Sequence, residues 1–162
     1  MENTTPVAAT AATTYYDSLP TRKLTPHFSV REFAISATAI RHSIDNMPPA
    51  DAELSLKALC ENVLEPLRRR FGVIRITSGY RSERVNTLVG GAPTSQHRRG
   101  EAADIHVSSE EMARKMYDYI HDNLPYDQLI LERNRKRGTR WIHVSYTTRR
   151  PLRRQAFEMN AK

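Results

Sequence analysis

The residues best suited to chemistry lie in one ten-residue stretch and one later strand. Residues 95–104 read SQHRRGEAAD and contain the pattern S-x-H-x-x-G-x-A-x-D. The pattern places His97 just before a turn that Gly100 permits, and Asp104 in the strand that follows. Far downstream, the sequence WIHVS puts His143 in the middle of another strand. Two imidazoles and one carboxylate form a common catalytic zinc set with a fourth position open for water. The pattern therefore predicts one Zn²⁺ ion held by His97, Asp104 and His143.

Such an ion predicts hydrolysis. Bound zinc lowers the pKa of water from about 15.7 towards 7 and polarises a carbonyl group. A carboxylate is still needed to take the proton of the water and to pass it to the leaving amine. We predict Glu132 for this role, with Glu101 and His106 as weaker candidates. The role requires Glu132 and His143 to share one face of their hairpin, since successive side chains of a strand alternate between faces.

Each of the three proposed ligands also has an ordinary structural interpretation. A strand histidine such as His143 fits a hydrogen-bonded core residue, Asp104 fits a turn cap, and His97 fits a surface loop. The combination of the ten-residue motif with the later W-x-H strand favours the metal site over these separate interpretations.

The predicted elements give an α+β fold. Apolar residues at three- and four-residue spacing predict a long helix from about residue 51 to residue 71. A capping box at Ser108 and Glu111 predicts a second helix. Segments rich in β-branched residues predict strands at 73–77, 102–107, 126–132 and 140–146. Because a Lys-Arg-Gly turn joins the last two, we expect an antiparallel hairpin within a small, mostly antiparallel sheet flanked by helices.

The two ends of the chain differ from its middle. Residues 1–25 are rich in Thr, Ala and Pro without a period, which predicts a flexible N-terminal arm. Residues 26–148 form the predicted catalytic domain, and 149–162 a basic C-terminal tail. The net charge is +7, and nine Lys and Arg residues lie between Arg133 and Arg154 with no Asp or Glu. Such a run favours anionic polymers, among them cell-envelope material and nucleic acid, although a solvated tail without a specific partner is an equal alternative.

Other functional classes find little support. No nucleic-acid-binding motif accompanies the basic run, so we predict no specific nucleic-acid partner. No stretch reaches the roughly 18 apolar residues of a membrane span. The first basic residue is Arg22, so a basic region of the kind that opens a signal peptide is missing, and we expect synthesis in the cytoplasm. The only cysteine, Cys60, is expected in the core, and we expect a monomer.

The motifs together resemble the zinc D-Ala-D-Ala metallopeptidases, which share a fold with lysostaphin-type endopeptidases and the hedgehog signalling domain. The resemblance runs from about residue 24 to residue 146 and includes LEPLR at 64–68, TSGYRS at 77–82, Asn86, DQLI at 127–130 and WIH at 141–143. It implies the same three zinc ligands and substrate contact by Arg81, whose guanidinium can pair with a carboxylate or stabilise an oxyanion. Many relatives carry a glutamate three residues before the last histidine. Here that residue is Arg140, which cannot act as a base.

This resemblance implies a peptidase acting on D-Ala-containing stem or cross-link peptides of peptidoglycan. Ser95 and Trp141 are further candidates for substrate contact, and a plain core role is an equal alternative for Trp141. An enzyme of this kind without a signal peptide fits a phage-type endolysin that acts after release, or a virion-associated lysin, and the basic run would contact the anionic envelope. One alternative is a D,D-dipeptidase or carboxypeptidase acting on small soluble peptides. Another is a binding module that keeps zinc and has lost catalysis.

Overall fold

A computed structural model describes residues 14–161 of the 162-residue chain. The helices are α1 Val30–Ala34, α2 Ala37–Arg41, α3 Ala50–Leu59, α4 Glu65–Phe71, α5 Glu83–Leu88 and α6 Glu110–Asn123. The strands are β1 Lys23–Thr25, β2 Phe28–Ser29, β3 Ile76–Ser78, β4 Ala102–His106, β5 Gln128–Asn134, β6 Thr139–Ser145 and β7 Gln155–Asn160. The fold is α+β, as predicted. Within the described range, no helix has the length and apolarity to cross a membrane.

The predicted long helix is present and supplies much of the core. It consists of α3, a π-helical turn at Cys60–Leu64, and α4. Its apolar stripe is fully buried and consists of Leu56, Leu59, Cys60, Val63, Leu64 and Leu67. The π turn comes just before Pro66, where a proline ring would clash with the backbone of a regular α-helix. The helix ends before Gly72, which has a φ of 84°.

The main sheet has five strands in the order β3-β4-β6-β5-β7. All neighbours pair antiparallel except β5 and β7, which are parallel. One face of the sheet belongs to the core and carries the buried residues Ala103, Ile105, Leu129, Leu131, Ile142 and Val144. The residues that alternate with them on β4, β5 and β6 project to the other face. The side chains of Asp104, Glu132 and His143 therefore lie on the face of the sheet opposite the core.

The register of the sheet satisfies the condition placed on Glu132. Asp104 of β4 lies opposite His143 of β6, and Ile130 of β5 lies opposite His143 from the other side. Glu132 is the partner of Trp141. Residues directly opposite each other in a ladder project to the same face, so Glu132 and Trp141 share a face. Trp141 and His143 are two residues apart on β6 and also share a face, so Glu132 and His143 lie on the same side of the sheet. The predicted hairpin of β5 and β6 is therefore present in the register that the proposed base requires.

Regular structure is present before residue 25, within the segment that we predicted to be a flexible arm. Residues 14–18 are helical, and β1 pairs with β2 in a short hairpin. Leu19 is only 3% exposed, and its carbonyl accepts a hydrogen bond from Arg31 at 2.8 Å. These contacts order the segment although its sequence has no period. Residues 1–13, which are the rest of the predicted arm, lie outside the described residues. The expectation that the N-terminus lacks a signal peptide falls on the same residues.

The predicted C-terminal tail contributes a strand to the sheet. Residues 155–160 form β7, which pairs with β5 along its length. The approach to β7 is anchored because Arg149 binds the Glu101 carboxylate and Arg150 and Arg153 bind the Asp127 carboxylate. Both carboxylates are almost fully buried. The sheet therefore continues past the domain boundary that we placed at residue 148.

Candidate metal centre

His97 is fixed by a short 3-10 helix, Gln96–Arg99. The hydroxyl of Ser95 caps this helix by accepting a hydrogen bond from the His97 amide at 3.3 Å. Gly100 ends it in the left-handed region with a φ of 71°. A Cβ at Gly100 would also lie 2.3 Å from the Ala52 carbonyl oxygen of α3, so the turn needs glycine for two reasons. The side chain of His97 is 3% exposed, which places it at the bottom of the site.

A hydrogen bond to the backbone sets the tautomer of His97. Its Nδ1 lies 2.7 Å from the carbonyl oxygen of Gly79. A carbonyl can only accept, so Nδ1 carries the proton and Nε2 has its lone pair free in the neutral ring. This lone pair points towards Asp104, with 3.3 Å between Nε2 and Oδ1. Gly79 allows the arrangement because any Cβ there would lie 2.6 Å from the Cα of Phe33. The TSGYRS segment thus orients the histidine motif.

His143 completes the group from the neighbouring strand. Its Nδ1 lies 3.0 Å from the same Oδ1 of Asp104. One ligand atom from each of His97, Asp104 and His143 lies within 4.8 Å of the other two, and this group can hold a metal ion. Burial alone would raise the pKa of the Asp104 carboxyl, but the two imidazoles beside it bring its pKa well below the ordinary value. The carboxylate is therefore ionised at neutral pH, as a metal ligand must be.

Arg81 lies at the edge of this group. One Nη donates to Oδ2 of Asp104 at 3.2 Å, and Nε donates to the hydroxyl of Ser78 at 3.0 Å. The two oxygens of Asp104 thus face different partners, since Oδ1 faces the imidazoles and Oδ2 faces the guanidinium. Asn46 supports the turn that carries Arg81, because its side-chain amide bonds to the Tyr80 carbonyl and the Ser82 amide.

The group opens into a cleft of about 590 Å³. The sheet side of the cleft includes Asp104, Gln128, Ile130, Glu132, Trp141 and His143, and the loop side includes Arg81 and residues 89–92 and 94–97. Ser95 and Trp141, both predicted to contact substrate, are therefore in the cleft wall. The hydroxyl of Ser95 already accepts from the His97 amide, so its position is tied to that of the ligand.

Glu132 has an environment that favours its protonated form more than water does. Burial is the main cause of its raised pKa, and the nearby negative charge of Asp104 adds to it. His143 and Arg81 act in the opposite direction. By contrast, Arg140 lies on the face away from the cleft and pairs with Glu110 of α6 at 3.3 Å. The position three residues before His143 therefore has no direct part in the cleft.

The comparison with known families agrees with this geometry. The family model for peptidase M15 matches residues 26–145 of the chain. The chain belongs to this family. M15 is the family of zinc D-Ala-D-Ala peptidases, so the resemblance inferred from the motifs is confirmed. No curated protein matches the chain. Family membership and the His97, Asp104 and His143 group together support a metallopeptidase.

The M15 match ends before the last strand of the sheet. All three residues of the metal group lie inside the matched range, whereas β7 lies wholly outside it. Arg153 and Met159, from the segment after the match, nevertheless line the cleft. The cleft of this M15 peptidase is thus built by the matched region together with a segment beyond it.

Sequence reasoning missed a buried polar network next to the metal group. The Glu101 carboxylate is 2% exposed and accepts hydrogen bonds from Gln96, Thr147 and Arg149. Burial acts to raise its pKa, but these donors, with Arg149 first among them, lower it overall. With its oxygens engaged in this way, Glu101 anchors the segment after β6. The Glu101–Arg149 separation of 48 residues leaves no local signal in the sequence.

His106 is the other weaker candidate for the base. It lies opposite Trp141 on the cleft side of β4, yet it is exposed and does not line the cleft. Its place at the end of the strand separates it from the metal group.

Proposed function

We propose that this M15 peptidase uses one zinc ion to hydrolyse D-Ala-containing peptides of peptidoglycan. The observation that carries the proposal is the convergence of Nε2 of His97, Oδ1 of Asp104 and Nδ1 of His143 beside Glu132 in an open cleft. Two nitrogens and one oxygen with an open fourth position suit zinc. Residues His97, Asp104 and His143 would hold the ion, and the fixed tautomer of His97 fits this role because Nε2 needs no proton shift before binding.

The reaction then follows from the groups around the cleft. When bound, zinc polarises the peptide carbonyl and lowers the pKa of a water molecule. Glu132 takes a proton from the attacking water as the water oxygen bonds to the carbonyl carbon. The C–N bond breaks, and Glu132 returns the proton to the amine nitrogen that leaves. The raised pKa of Glu132 favours both halves of this transfer, since a base with a pKa nearer to neutrality also serves as an acid.

Arg81 is proposed to hold the negative charge of the substrate or of the tetrahedral intermediate. Two of its five N–H groups are engaged by Ser78 and Asp104. The guanidinium also lines the cleft, so its other donors are available to a carboxylate or an oxyanion. We propose that Trp141 contacts the substrate with its ring and that the hydroxyl of Ser95 donates its own proton to the peptide backbone.

Replacing Glu132 with glutamine tests the proposed reaction. We expect kcat on purified peptidoglycan to fall by roughly 10³-fold, because the amide keeps the size of the side chain but takes no proton. Zinc content, measured by elemental analysis, is expected to stay at one ion per chain. Glu61→Gln is the matched control, since Glu61 is exposed on the π turn, and it is expected to keep full activity.

Each other outcome of this experiment has a definite meaning. Full activity of the Glu132→Gln protein would exclude Glu132 as the base. A parent protein that binds zinc and leaves peptidoglycan, muropeptides and small D-Ala peptides intact would favour the binding-module alternative. Mass spectrometry of the digests separates an endopeptidase, which splits cross-links, from a carboxypeptidase, which removes one terminal D-Ala. Hydrolysis confined to soluble dipeptides would favour the D,D-dipeptidase alternative.

We also propose that the enzyme acts as a lysin at the cell wall and contacts the anionic envelope through one turn. Among the nine basic residues between 133 and 154, six are engaged by carboxylates or backbone carbonyls, namely Arg133, Arg140, Arg149, Arg150, Arg153 and Arg154. The other three, at 135–137, are exposed on the β5–β6 turn and have no carboxylate partner among the described residues. The turn follows the end of β5, the strand that carries Glu132, so it would bring the anionic wall near the open cleft.

Replacing residues 135–137 with serine tests this contact. We expect binding to purified walls at low salt to weaken several-fold and to depend less on salt, because three cationic contacts are removed. Hydrolysis of short soluble peptides is expected to stay unchanged. Removal of equal charge at the exposed residues Arg69, Arg75 and Arg84 is the control. An equal loss of wall binding in both proteins would show attraction by net charge alone.

A further inference from the structure

The last strand, β7, extends the cleft face of the sheet. It pairs with β5 so that Phe157 aligns with Ile130 and Met159 aligns with Glu132. Phe157 and Met159 therefore project to the same face as the metal group. Phe157 is 37% exposed and Met159 is 42% exposed, and Met159 lines the cleft. An apolar surface thus continues the floor of the cleft away from the metal group.

Two rows of side chains cross the sheet from the metal group to β7. One row contains Asp104, His143, Ile130 and Phe157, and the other contains Trp141, Glu132 and Met159. The first row begins with two of the proposed metal ligands, and the second contains the proposed base. A peptide bound across the strands would therefore have its scissile bond at one end of these rows and another of its side chains over β7.

The spacing of the strands gives the length of peptide that reaches β7. Neighbouring strands lie about 4.8 Å apart, and β5 separates β6 from β7, so the distance from His143 to the β7 side chains is roughly 10 Å. An extended peptide advances about 3.3 Å per residue. A side chain over Met159 would therefore belong to a residue about three positions from the scissile bond.

β7 is held firmly enough to act as a fixed wall. On the core face, Glu158 pairs with Arg133 at 2.7 Å and with Arg114. Before the strand, Arg150 and Arg153 bind the buried Asp127 carboxylate at 2.7 and 2.8 Å. These contacts fix β7, and Met159 takes part in none of them, so its side chain is free to meet a ligand.

We infer that Met159, with Phe157 beside it, forms an apolar subsite for a substrate side chain about three residues from the scissile bond. The subsite accepts an aliphatic side chain or the methylene part of a longer one, and a dipeptide is too short to reach it. The inference rests on the proposed peptidase function and deepens it, since it makes the enzyme selective for longer peptides. Methionine suits such a subsite because its flexible, polarisable side chain adapts to different apolar shapes.

Synthetic peptides containing a D-Ala-D-Ala bond test the subsite. One set extends the peptide on the amino side and the other on the carboxyl side, each with leucine or glycine three positions from that bond. We expect kcat/KM for the leucine peptide to exceed that for the glycine peptide roughly tenfold in one of the two sets. Met159→Ser is expected to bring this ratio close to one. Leu54→Ser is the matched control, because Leu54 is an exposed apolar residue of α3 outside the cleft, and it is expected to keep the ratio.

A binding measurement separates the subsite from the reaction. Zinc-loaded Glu132→Gln protein is titrated with the same peptides by calorimetry, with and without Met159→Ser. Tighter binding of the leucine peptide that Met159→Ser removes supports the subsite even if the parent protein hydrolyses nothing, which would refute only the proposed function. Equal ratios before and after Met159→Ser, in both hydrolysis and binding, would overturn the subsite while leaving the peptidase function intact.

Discussion

Two buried carboxylates of the same sheet region differ in whether imidazoles are among their partners. Oδ1 of Asp104 faces two imidazoles, at 3.3 Å from His97 and 3.0 Å from His143, and its Oδ2 faces the Arg81 guanidinium. Asp127, just before β5, is bound by the guanidiniums of Arg150 and Arg153. Burial acts to raise the pKa of both carboxyls, and the imidazoles beside Asp104 and the guanidiniums beside Asp127 bring it well below the ordinary value. The two aspartates are thus equally ionised but differ in what their partners can do.

The difference teaches how one residue type serves either chemistry or architecture. An imidazole loses its proton near neutral pH and then offers a lone pair to a metal ion. A guanidinium keeps its proton and has no acceptor, so it cannot be a metal ligand. The Asp104 group can therefore exchange protons for a metal ion. The Asp127 group can only hold its partners, and it uses them to anchor the segment that leads to β7.

The largest effect that tests this comparison is expected at His143. His143→Ala should lose zinc from the purified protein and reduce peptide hydrolysis by at least about 10³-fold, because two ligands hold the ion far less tightly than three. Elemental analysis and a peptidoglycan digest measure the two effects. His106→Ala is the matched control, since His106 lies on the same face of the sheet but outside the metal group. It is expected to keep both zinc and activity.

Retention of zinc and activity by the His143→Ala protein would refute the metal group. Restoration of activity by added zinc would instead show that the remaining two ligands keep their positions, which would sharpen the distinction between binding and positioning.

A smaller effect is expected at Asp127. Asp127→Asn should lower the free energy of unfolding by about 2 kcal/mol, since a buried charge pair loses one partner. The value lies below that of a fully buried pair because the Arg150 and Arg153 side chains are 35% and 47% exposed and water can solvate them. Urea denaturation at neutral pH measures the loss. Zinc content is expected to stay unchanged, in contrast to His143→Ala.

At acidic pH, the difference in the free energy of unfolding between the parent protein and Asp127→Asn should disappear. The folded-state pKa of Asp127 is lowered, so its contribution is complete above the unfolded-state pKa of about 3.9 and is lost as the pH falls through the lower folded-state value. The two denaturation curves should therefore approach each other below about pH 4. A difference that grows on acidification would contradict this account of the anchor.

The metal group was predictable because its signal is dense. The motif at residues 95–104 has five defined positions, and two of them are His97 and Asp104. The later W-x-H pattern adds His143. Whether Glu132 and His143 share a face could not be predicted, because a slip of one residue in the hairpin register would reverse it; the register came from the structure. A turn at Gly100 was also expected, and the structure adds its left-handed conformation and the close approach of α3 as reasons for glycine there.

The order of the C-terminal segment could not be read from its residues. The segment that forms β7 is short. It becomes a strand because it pairs with β5 and because ion pairs to residues distant in the sequence hold it there. Arg150 and Arg153 lie 23 and 26 residues from Asp127, so an arginine-rich run gave no sign of its buried partner. A compositional argument counted the charges correctly but could not tell which of them were already neutralised.

The parallel pairing of β7 also bears on how the chain would behave if it were cut. Cleavage after residue 148 would keep all three residues of the metal group in the chain but uncover the hydrogen-bonding edge of β5. An uncovered edge strand is a template for pairing with another chain. We therefore expect the protein without its last strand to self-associate through β5. By covering this edge, β7 protects the fold from aggregation as well as shaping the cleft.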